Sequence, residues 1–419
     1  MQTSITDLYR ADPEAKDADE ILRSCVHCGF CTATCPTYQL TGDELDGPRG
    51  RIYLMKQVLE GQAPTRATQL HLDRCLTCRS CETTCPSGVQ YGKLLDIGRR
   101  VIDQLVTRPP GQRLARAVLR AVLPRAWLVK PLLSGARMVR PLLPMALRAK
   151  VPATRRAAPW PLRQHARRML LLDGCVQPAL APSINAAAAR VLDAVDVQLI
   201  VAPKAGCCGA IRHHLDDADG ALADARRNID AWWPWVEGKD GPAVEAIVMT
   251  ASGCGAMVKD YGHLLRRDPA YAAKAARVAA LAHDLSVIVA RFDDQLAARL
   301  VPGPRARVAY HPPCTLQHGQ QVRGEVEALL RLAGVDVRTC ADSHLCCGSA
   351  GTYSLLQPAL ATTLRDNKLA ALEAGAPDMI VSANIGCLTH LQSGTNTPVR
   401  HWIELLDTAI GCGSHRLPA

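Results

Sequence analysis

The sequence predicts an α+β multidomain protein, in which a mostly helical N-terminal domain precedes two duplicated, cysteine-rich α/β halves. Three observations support this prediction. Two copies of one cysteine spacing lie fifty residues apart within the first 105 residues, with helical periodicity between them. A different cysteine pattern recurs later in the chain at a shift of 139 residues. Within each later copy, short apolar runs, cysteine loops and Ala- and Arg-rich helical stretches alternate, an order typical of parallel α/β sheets.

The first cysteine set consists of two runs of the form C-x2-C-x2-C-x3-C-P. The runs are Cys25, Cys28, Cys31 and Cys35 before Pro36, and Cys75, Cys78, Cys81 and Cys85 before Pro86. This is the spacing of two-cluster bacterial ferredoxins, in which the fourth cysteine of each run ligates the other cluster. Structural zinc sites, the alternative, use pairs of cysteines and need neither the third cysteine nor the proline. The sequence therefore predicts one 4Fe–4S cluster on Cys25, Cys28, Cys31 and Cys85, and a second on Cys75, Cys78, Cys81 and Cys35.

Composition and charge argue against several classes of protein. The chain has 419 residues and eighteen cysteines, but its polar N-terminus lacks an apolar signal segment. We therefore expect reduced thiolates in the cytosol rather than a secreted disulfide scaffold. The sequence contains no run of eighteen uncharged apolar residues, so we expect no membrane-spanning helix. The net charge is +10, yet residues 104–172 alone carry +15. Since this charge is confined to one segment and aromatic residues are few, a nucleic-acid-binding protein is not indicated.

We expect four segments along the chain. Residues 1–105 form the two-cluster ferredoxin-type domain, 106–166 a basic, proline-punctuated helical linker, 167–300 the first α/β half and 301–419 the second. The linker begins with an amphipathic stretch, whose apolar stripe is Leu114, Val118 and Val122 and whose basic face is Arg113, Arg116 and Arg120. Such a helix docks on an anionic membrane surface or on an acidic partner subunit, unless it packs on the protein itself.

The second cysteine set occupies matching positions in the two halves. Cys175 precedes Cys207-Cys208-Gly209 by 32 residues, as Cys314 precedes Cys346-Cys347-Gly348, and Cys254 matches Cys387. Each cysteine follows a short apolar run, and ligands of parallel sheets gather at the carboxyl ends of the strands. We therefore expect four thiols to converge in each half, as further cluster ligands or redox thiols, the alternative being inert packing. The two sets are Cys175, Cys207, Cys208 and Cys254, and Cys314, Cys346, Cys347 and Cys387.

The duplicated halves resemble the cysteine-rich CCG domains of the heterodisulfide reductase catalytic subunit. In those domains the pattern ends in CxxC, and five cysteines hold an unusual 4Fe–4S cluster. This chain departs from the pattern, because Ala251 and Asn384 stand where the first cysteine of the last pair is expected. For each half the resemblance therefore leaves open a standard cubane, a labile cluster and an empty site.

Over nearly its full length, the chain resembles the family of iron–sulfur subunits of bacterial glycolate oxidase (glycolate dehydrogenase). The matching stretches are SCVHCGFCTATCPTYQLTGDELDGPRGRIYLMKQVLEG, HLDRCLTCRSCETTCPSGV, RNIDAWWP, TASGCGAMVK, DSHLCCGSAGTY and ANIGCLTHLQSG. Cluster ligation does not require DELDGPRGRIYL or RNIDAWWP, so these two stretches favour the glycolate assignment. The iron–sulfur subunits of anaerobic glycerol-3-phosphate dehydrogenase and of lactate utilisation complexes share the architecture and are the alternative.

The resemblance implies an electron-transfer subunit of an oxidoreductase complex, with no catalytic residue of its own. A flavin-bearing subunit, helped by a second flavoprotein-like subunit, would oxidise glycolate to glyoxylate. This chain would then pass electrons to quinone or another acceptor at the inner face of the cell membrane. The residues agree, because no G-x-G-x-x-G fingerprint follows a predicted strand and hydride removal needs an organic acceptor. We expect FAD only on the partner subunits. A disulfide or thiol reductase acting at the CCG halves is a further alternative, against which the missing CxxC cysteines count.

Overall fold

Helices and two parallel sheets make up the structure, so the predicted α+β class is confirmed. The structure is a computed structural model and describes residues 1–142, 155–239, 241–301 and 306–410. Residues 143–154 of the predicted linker and 302–305 and 411–419 of the predicted second half therefore lie outside the described residues. The described chain groups into two compact units. The first unit contains Met1–Val118 together with the segments His214–Asp216 and His344–Lys368, and the second contains the other described residues.

The N-terminal part of the first unit is helical. Its helices are α1 Asp7–Arg10, α2 Pro13–Ser24, α3 Phe30–Ala33, α4 Pro36–Thr41, α5 Pro48–Leu59, α6 Arg66–Asp73, α7 Ser80–Thr84 and α8 Tyr91–Leu105, with a 3-10 turn at Glu44–Asp46. Asp12 caps α2 by accepting the N–H of Glu14, and a capping box of Thr65 and Thr68 begins α6. The buried faces of α2, α5, α6 and α8 form one core with Leu22, Met55, Leu72 and Leu94. Each cysteine run therefore starts where a capped, buried helix ends.

Two further helices, α9 Pro110–Val122 and α10 Ala126–Val139, lie in the predicted linker and precede a 3-10 turn at Arg140–Leu142. The predicted apolar stripe of α9 is partly exposed, since Leu114 is 67% and Val118 50% accessible. On α10 Trp127 is 70% accessible. Among the described helices, none is both long enough and apolar enough to cross a membrane.

Arg116 does not belong to the exposed basic face of α9. Its side chain is buried, donating to Asp73 Oδ1 at 3.0 Å and to Asp216 Oδ2 at 2.9 Å. The expectation that Arg116 shares a docking face with Arg113 and Arg120 is therefore wrong. The reason is that its charge is already neutralised by two buried carboxylates of the first unit.

Both sheets lie in the second unit, and each has four parallel strands. The first has the order β2-β1-β3-β4, with β1 Arg167–Leu171, β2 Val197–Val201, β3 Ile247–Met249 and β4 Ala282–Asp284. The second has the order β6-β5-β7-β8, with β5 Arg307–His311, β6 Asp336–Thr339, β7 Met379–Ser382 and β8 Val399–His401. The equal strand order shows that the cysteine repeat in the sequence corresponds to a repeated fold.

Helices fill the connections between the strands. In the first half they are α11 Gln177–Leu180, α12 Ser183–Asp193, α13 Ala210–His214, α14 Ala218–Val236, α15 Ser252–Lys259, α16 Tyr261–Leu264, α17 Ala272–Leu281, α18 Leu285–Val289 and α19 Asp293–Ala297, with a 3-10 turn at Ala290–Phe292. In the second half they are a π-helix Thr315–Gly319, α20 Glu325–Leu332, α21 Tyr353–Leu356, α22 Pro358–Glu373, α23 Ile385–Gln392 and α24 Trp402–Ala409. The core of the first half contains Trp232, Met249 and Tyr261, packed beneath the cysteine loops.

Candidate iron–sulfur site

One cavity of the first unit is lined by cysteines of both N-terminal runs. It has a volume of about 440 Å³ and is bordered by Cys25, Cys28, Cys31 and Cys85, and also by Cys81. The first three belong to the first run and Cys85 to the second. Because Cys28 is exposed, one side of this cavity faces solvent. These residues include the four that the sequence predicts for the first cluster.

A second cavity of about 300 Å³ has the complementary lining, Cys35, Cys75, Cys78 and Cys81. Among them Cys78 alone is not fully buried. Two hydroxyl groups lie close to sulfur atoms that line this cavity. The Tyr91 hydroxyl donates to Cys75 Sγ at 3.6 Å, and Thr37 Oγ1 lies 3.3 Å from Cys35 Sγ. The second predicted ligand set thus lines a smaller space, and its cysteines are more deeply buried than those of the first.

Both runs have the same loop conformation. His27 and Gly29 have φ angles of 57° and 84°, and Thr77 and Arg79, fifty positions later, have 54° and 59°. Left-handed residues turn the backbone between successive cysteines, so that three thiols face one point. Non-glycine residues rarely adopt this conformation, and strain of this kind collects at functional sites. The repeated spacing therefore corresponds to a repeated cradle.

The eight cysteine thiols lie close together, so their ionised forms repel one another. A cationic centre bound among them would relieve this repulsion. Burial, then the neighbouring Cys25 thiolate, raises the pKa of Cys31 to about 11. Burial, then Cys78, likewise raises the pKa of Cys81 well above its usual value. Thiolates so close together repel one another, and bound metal ions hold such groups deprotonated at neutral pH. The four sulfur donors of each predicted ligand set fit an iron–sulfur cluster.

The first half brings its four repeated cysteines together beyond the carboxyl ends of β1, β2 and β3. The Cys207 side chain is hydrogen-bonded to those of Cys175 and Cys208. The Cys208 side chain is also hydrogen-bonded to that of Cys254. The thiols of Cys175 and Cys208 lower the pKa of Cys207 well below its usual value. The N–H of Gly209 adds to this effect, at 3.4 Å from Cys207 Sγ. Four adjacent thiols, of which Cys254 is half-buried and the others are buried, could ligate a metal centre.

Two fully buried side chains hold the Cys207–Cys208 loop in place. Asn228 Nδ2 donates to the carbonyl oxygen of Cys207 at 2.8 Å, and the Tyr261 hydroxyl donates to that of Cys208 at 2.8 Å. Asn228 Nδ2 also donates to the Tyr261 hydroxyl oxygen at 3.1 Å. The thiols are therefore positioned by a network that involves no sulfur atom.

The glycine after each cysteine pair allows a close backbone approach. Gly209 has a φ of 92°, and a Cβ there would lie 3.0 Å from the Ala221 carbonyl oxygen. Gly348 has a φ of 85°, and its Cβ would lie 2.6 Å from the Ala361 carbonyl oxygen. Only glycine fits both the left-handed conformation and the contact.

The cysteines of the second half are distributed over both compact units. Cys314 follows β5 and Cys387 lies on α23, and both are in the second unit. Cys346 and Cys347 lie in the first unit, within the segment His344–Lys368. All four are buried.

Several residues near the thiols were not found from the sequence. A ring nitrogen of buried His311 lies within 4.8 Å of Cys387 Sγ, and its position at the end of β5, three residues before Cys314, was a usable signal. Burial, then the thiolates of Cys75 and Cys346, raises the pKa of Tyr353 above its usual range. No spacing rule connects Tyr353 with Cys75, because they are far apart in the sequence.

Comparison with known proteins agrees with this geometry. The model of the cysteine-rich CCG domain matches residues 169–259 and 308–392, and that of the 4Fe-4S dicluster domain matches residues 21–89. The glycolate oxidase iron–sulfur subunit of Escherichia coli strain K12 is 55% identical over 98% of this chain and 99% of its own length. The probable glycolate oxidase iron–sulfur subunit of Bacillus subtilis strain 168 is 29% identical over 91% of this chain and 90% of its own.

A solved structure shares the fold. The crystal structure of a hypothetical protein from Helicobacter pylori aligns with 97% of this chain and 74% of its own length, with a TM-score of 0.55 and 9% sequence identity. At this identity the likeness concerns the fold alone. The full-length match in Escherichia coli, the two domain models and the cysteine-lined cavities lead to one conclusion: the chain belongs to the family of glycolate oxidase iron–sulfur subunits.

Proposed function

We propose that the chain is the electron-transfer subunit of a glycolate oxidase (glycolate dehydrogenase) complex. The observation that carries this proposal is the pair of cavities. Each has three cysteines of one run and the fourth of the other among its lining residues, and Cys81 borders both. It supports a 4Fe–4S cluster on Cys25, Cys28, Cys31 and Cys85, and another on Cys75, Cys78, Cys81 and Cys35. When bound, each cluster takes up and releases single electrons.

The chemistry of glycolate oxidation requires partners. Conversion of glycolate to glyoxylate removes two electrons and two protons, and hydride removal needs an organic acceptor such as a flavin. We therefore assign this step to a flavin-bearing subunit, assisted by a second flavoprotein-like subunit. The role of this chain is to receive the electrons one at a time and pass them to quinone or another acceptor.

The solvent-facing side of the first cavity is suited to receive electrons from a partner. Val26 is 66% and Phe30 62% accessible, and both flank the exposed Cys28. An apolar rim around an exposed cluster edge favours close contact with another subunit. In the second cavity, by contrast, Cys35, Cys75 and Cys81 are buried, which suits the next step of transfer within the chain.

The duplicated halves offer sites for onward transfer. After burial, the charges of Cys75 and Cys346 both raise the pKa of Tyr353, so a cysteine of the second cavity and a CCG cysteine of the first unit act on the same side chain. We propose that the CCG thiols hold additional iron–sulfur centres, with redox-active thiols as the competing role. In the first half this set is Cys175, Cys207, Cys208 and Cys254, all of the second unit.

The linker helix α10 is suited to contact a membrane surface. Trp127, Leu132 and Met138 are 70%, 59% and 81% accessible. Lys130 and Arg137 lie on the same helix, within a stretch that has no acidic residue. Basic amphipathic helices with exposed Trp and Leu lie in the interface of anionic membranes. We therefore place the complex peripherally at the inner, cytoplasmic face of the cell membrane.

An anaerobic reconstitution tests this function. The chain is loaded with iron and sulfide and mixed with the flavin-bearing subunit, and cluster reduction is followed by EPR after glycolate is added. We expect reduced-cluster signals only when both proteins and glycolate are present, while dithionite reduces the chain alone. Lactate and glycerol-3-phosphate, tested with the same partner, should be ineffective. Glycolate oxidation by the flavin-free chain would contradict the proposal.

A further inference from the structure

The second cavity is lined by a buried positive charge that cluster ligation does not require. Arg51, on α5, is 1% accessible. Its Nε donates to the His71 carbonyl oxygen at 2.7 Å, and both terminal nitrogens lie 3.2 Å from Thr37 Oγ1. Since Thr37 Oγ1 is 3.3 Å from Cys35 Sγ, one hydroxyl group links the guanidinium to a proposed cluster ligand.

The negative charge of Asp46 is shared between Arg51 and other side chains, so it does not fully neutralise Arg51. Asp46 is fully buried, with Oδ1 at 3.7 Å from Arg51 Nη2. The same carboxylate accepts from Arg74 Nη1 at 2.8 Å and contacts His71 Nδ1 at 2.8 Å. Two guanidinium groups thus share the buried carboxylate of Asp46. The Asp43 carboxylate lies within 4.8 Å of it but is exposed and screened by solvent, so the buried part of this network keeps a net positive charge. Arginine is not deprotonated in proteins, so the charge is permanent.

A third guanidinium group increases the difference in positive charge between the second cavity and the first. Arg99 is also buried, and its Nη2 donates to the Cys75 carbonyl oxygen at 2.8 Å. At the first cavity, Arg49 is the only arginine or lysine among the described lining residues. Its side chain is 39% accessible and pairs with Glu44 at 2.6 Å. Solvent and Glu44 therefore screen Arg49, whereas Arg51 acts in a dry environment.

Reduction adds a negative charge to a cluster that already has anionic ligands. Burial disfavours the more highly charged form, so enclosure alone would lower the reduction potential of the second cluster. A nearby buried cation stabilises the reduced form, and net charge and hydrogen bonding are known determinants of cluster potential.

We infer that Arg51 raises the reduction potential of the cluster held by Cys35, Cys75, Cys78 and Cys81. It thereby offsets the effect of burial, so that electrons can pass from the exposed first cluster to the enclosed second one. Arg51 is a positioning residue that acts through its charge. The inference rests on the cluster assignment of the proposed function and does not depend on glycolate being the substrate.

The test is a redox titration of the anaerobically loaded full chain, followed by EPR and visible absorbance. Arg51→Gln retains a side-chain N–H donor but removes the charge, and Arg51→Lys keeps the charge. We expect Arg51→Gln to move one reduction wave to lower potential by at least the equivalent of a tenfold change in the ratio of reduced to oxidised cluster, about 59 mV for one electron. Arg51→Lys should restore most of the shift. The affected wave should be the one that Cys78→Ser perturbs.

Two further variants separate charge from structure. Arg49→Gln is the matched control and should leave that wave in place. Asp46→Asn removes the counter-charge and should move the same wave to higher potential, an opposite sign that a purely structural role would not produce. If Arg51→Gln protein binds only one cluster, the direction of the shift in Asp46→Asn protein decides whether the charge near the second cavity sets the potential. Unchanged waves, or equal shifts of both waves, would overturn the inference. Failure of glycolate to reduce a chain that shows these shifts would contradict only the proposed function.

Discussion

The side-chain amide of Asn384 connects the two halves of the second unit. Its Nδ2 donates to Cys387 Sγ at 3.6 Å, while its Oδ1 accepts the N–H of Gly253 at 3.4 Å. Gly253 is in the first turn of α15, whose N-cap residue Ala251 offers no side-chain acceptor. Asn384 therefore caps a helix of the other half. Both Ala251 and Asn384 stand where the CCG pattern has a cysteine, and the second of these positions here makes a structural contact between the halves.

Removing this cap should loosen α15. We expect Asn384→Ala to reduce the stability of the first turn by about 1 kcal/mol, the usual cost of losing an N-cap. Hydrogen exchange of the peptide containing Ser252–Lys259 would report this as faster exchange. Asn384→Asp keeps the accepting oxygen and should exchange like the natural protein. Adding Ala251→Asp to Asn384→Ala should restore protection, and unchanged exchange in all variants would disprove the capping role.

The exchanged fourth ligands can be tested by two matched variants. We expect Cys35→Ser to impair the cluster on Cys75, Cys78 and Cys81, because Cys35 lines that cavity. Cys85→Ser should impair the other cluster instead, since Cys85 lines the first cavity. EPR of the reduced proteins distinguishes the two signals. Loss of the first-cluster signal in Cys35→Ser protein would show that each run serves its own cluster.

The buried ion pairs of Arg116 predict a large difference between two neighbouring arginines. Arg116→Gln leaves Asp73 and Asp216 buried with fewer cationic partners, and we expect a loss of about 3 kcal/mol in the free energy of unfolding. Arg113 is exposed, so Arg113→Gln should stay within about 0.5 kcal/mol of the natural protein. Urea denaturation under anaerobic conditions measures both. Equal effects would contradict the structural role of Arg116.

The two carboxylates of this network should differ in their pH dependence. Burial raises the pKa of Asp73, but the hydrogen bond from Arg108 and the charge of Arg116 outweigh it, and the net pKa is lowered. Its contribution to stability is therefore present above the unfolded-state value of about 3.9 and lost as pH falls through the lower folded value. Burial dominates at Asp216 and raises its pKa. Asp73→Asn should thus cost more stability at neutral pH than Asp216→Asn.

The iron content of the loaded chain tests the CCG thiols. Two cubanes account for eight irons per chain, so a further centre on Cys175, Cys207, Cys208 and Cys254 should raise the count above eight. Cys207→Ser should remove the additional iron, because Cys207 is a proposed ligand that lies within hydrogen-bonding distance of two of the other thiols. Cys340→Ser, which lies outside the repeated set, is the matched control. A count of eight with freely alkylated CCG thiols would favour a redox-thiol role.

The membrane contact of α10 should depend on its exposed apolar side chains. We expect Trp127→Ser with Leu132→Ser to reduce binding to vesicles that contain anionic lipid, measured by flotation. The electrostatic part should weaken with salt, since the Debye length is about 8 Å at physiological ionic strength. Leu8→Ser, at a residue 78% accessible outside the linker, is the control. Retained vesicle binding with loss of the flavin-bearing subunit would identify the segment as a subunit dock.

The sequence by itself determined the parts of this protein that depend on spacing. The two cysteine runs imply their own loops, because thiols two residues apart can face one point only if the intervening residues turn the chain, as His27 and Thr77 do. The repeated strand–cysteine–helix order likewise predicted both sheets, since parallel strands need helical crossovers. Cys207 and Cys208 could be placed at the end of a strand for the same reason.

Only the tertiary structure decided which charged and polar side chains serve those sites. Arg116 and Arg113 look alike in an amphipathic pattern, but α9 turns Arg116 toward two distant carboxylates. Arg51 belongs to a family-specific stretch, and its burial beside Cys35 depends on how α5 packs. Asn384 could be recognised as a missing cysteine, yet its capping of α15 depends on the approach of two separate halves. Periodicity describes which face of a helix is apolar, whereas long-range packing determines which residue that face meets.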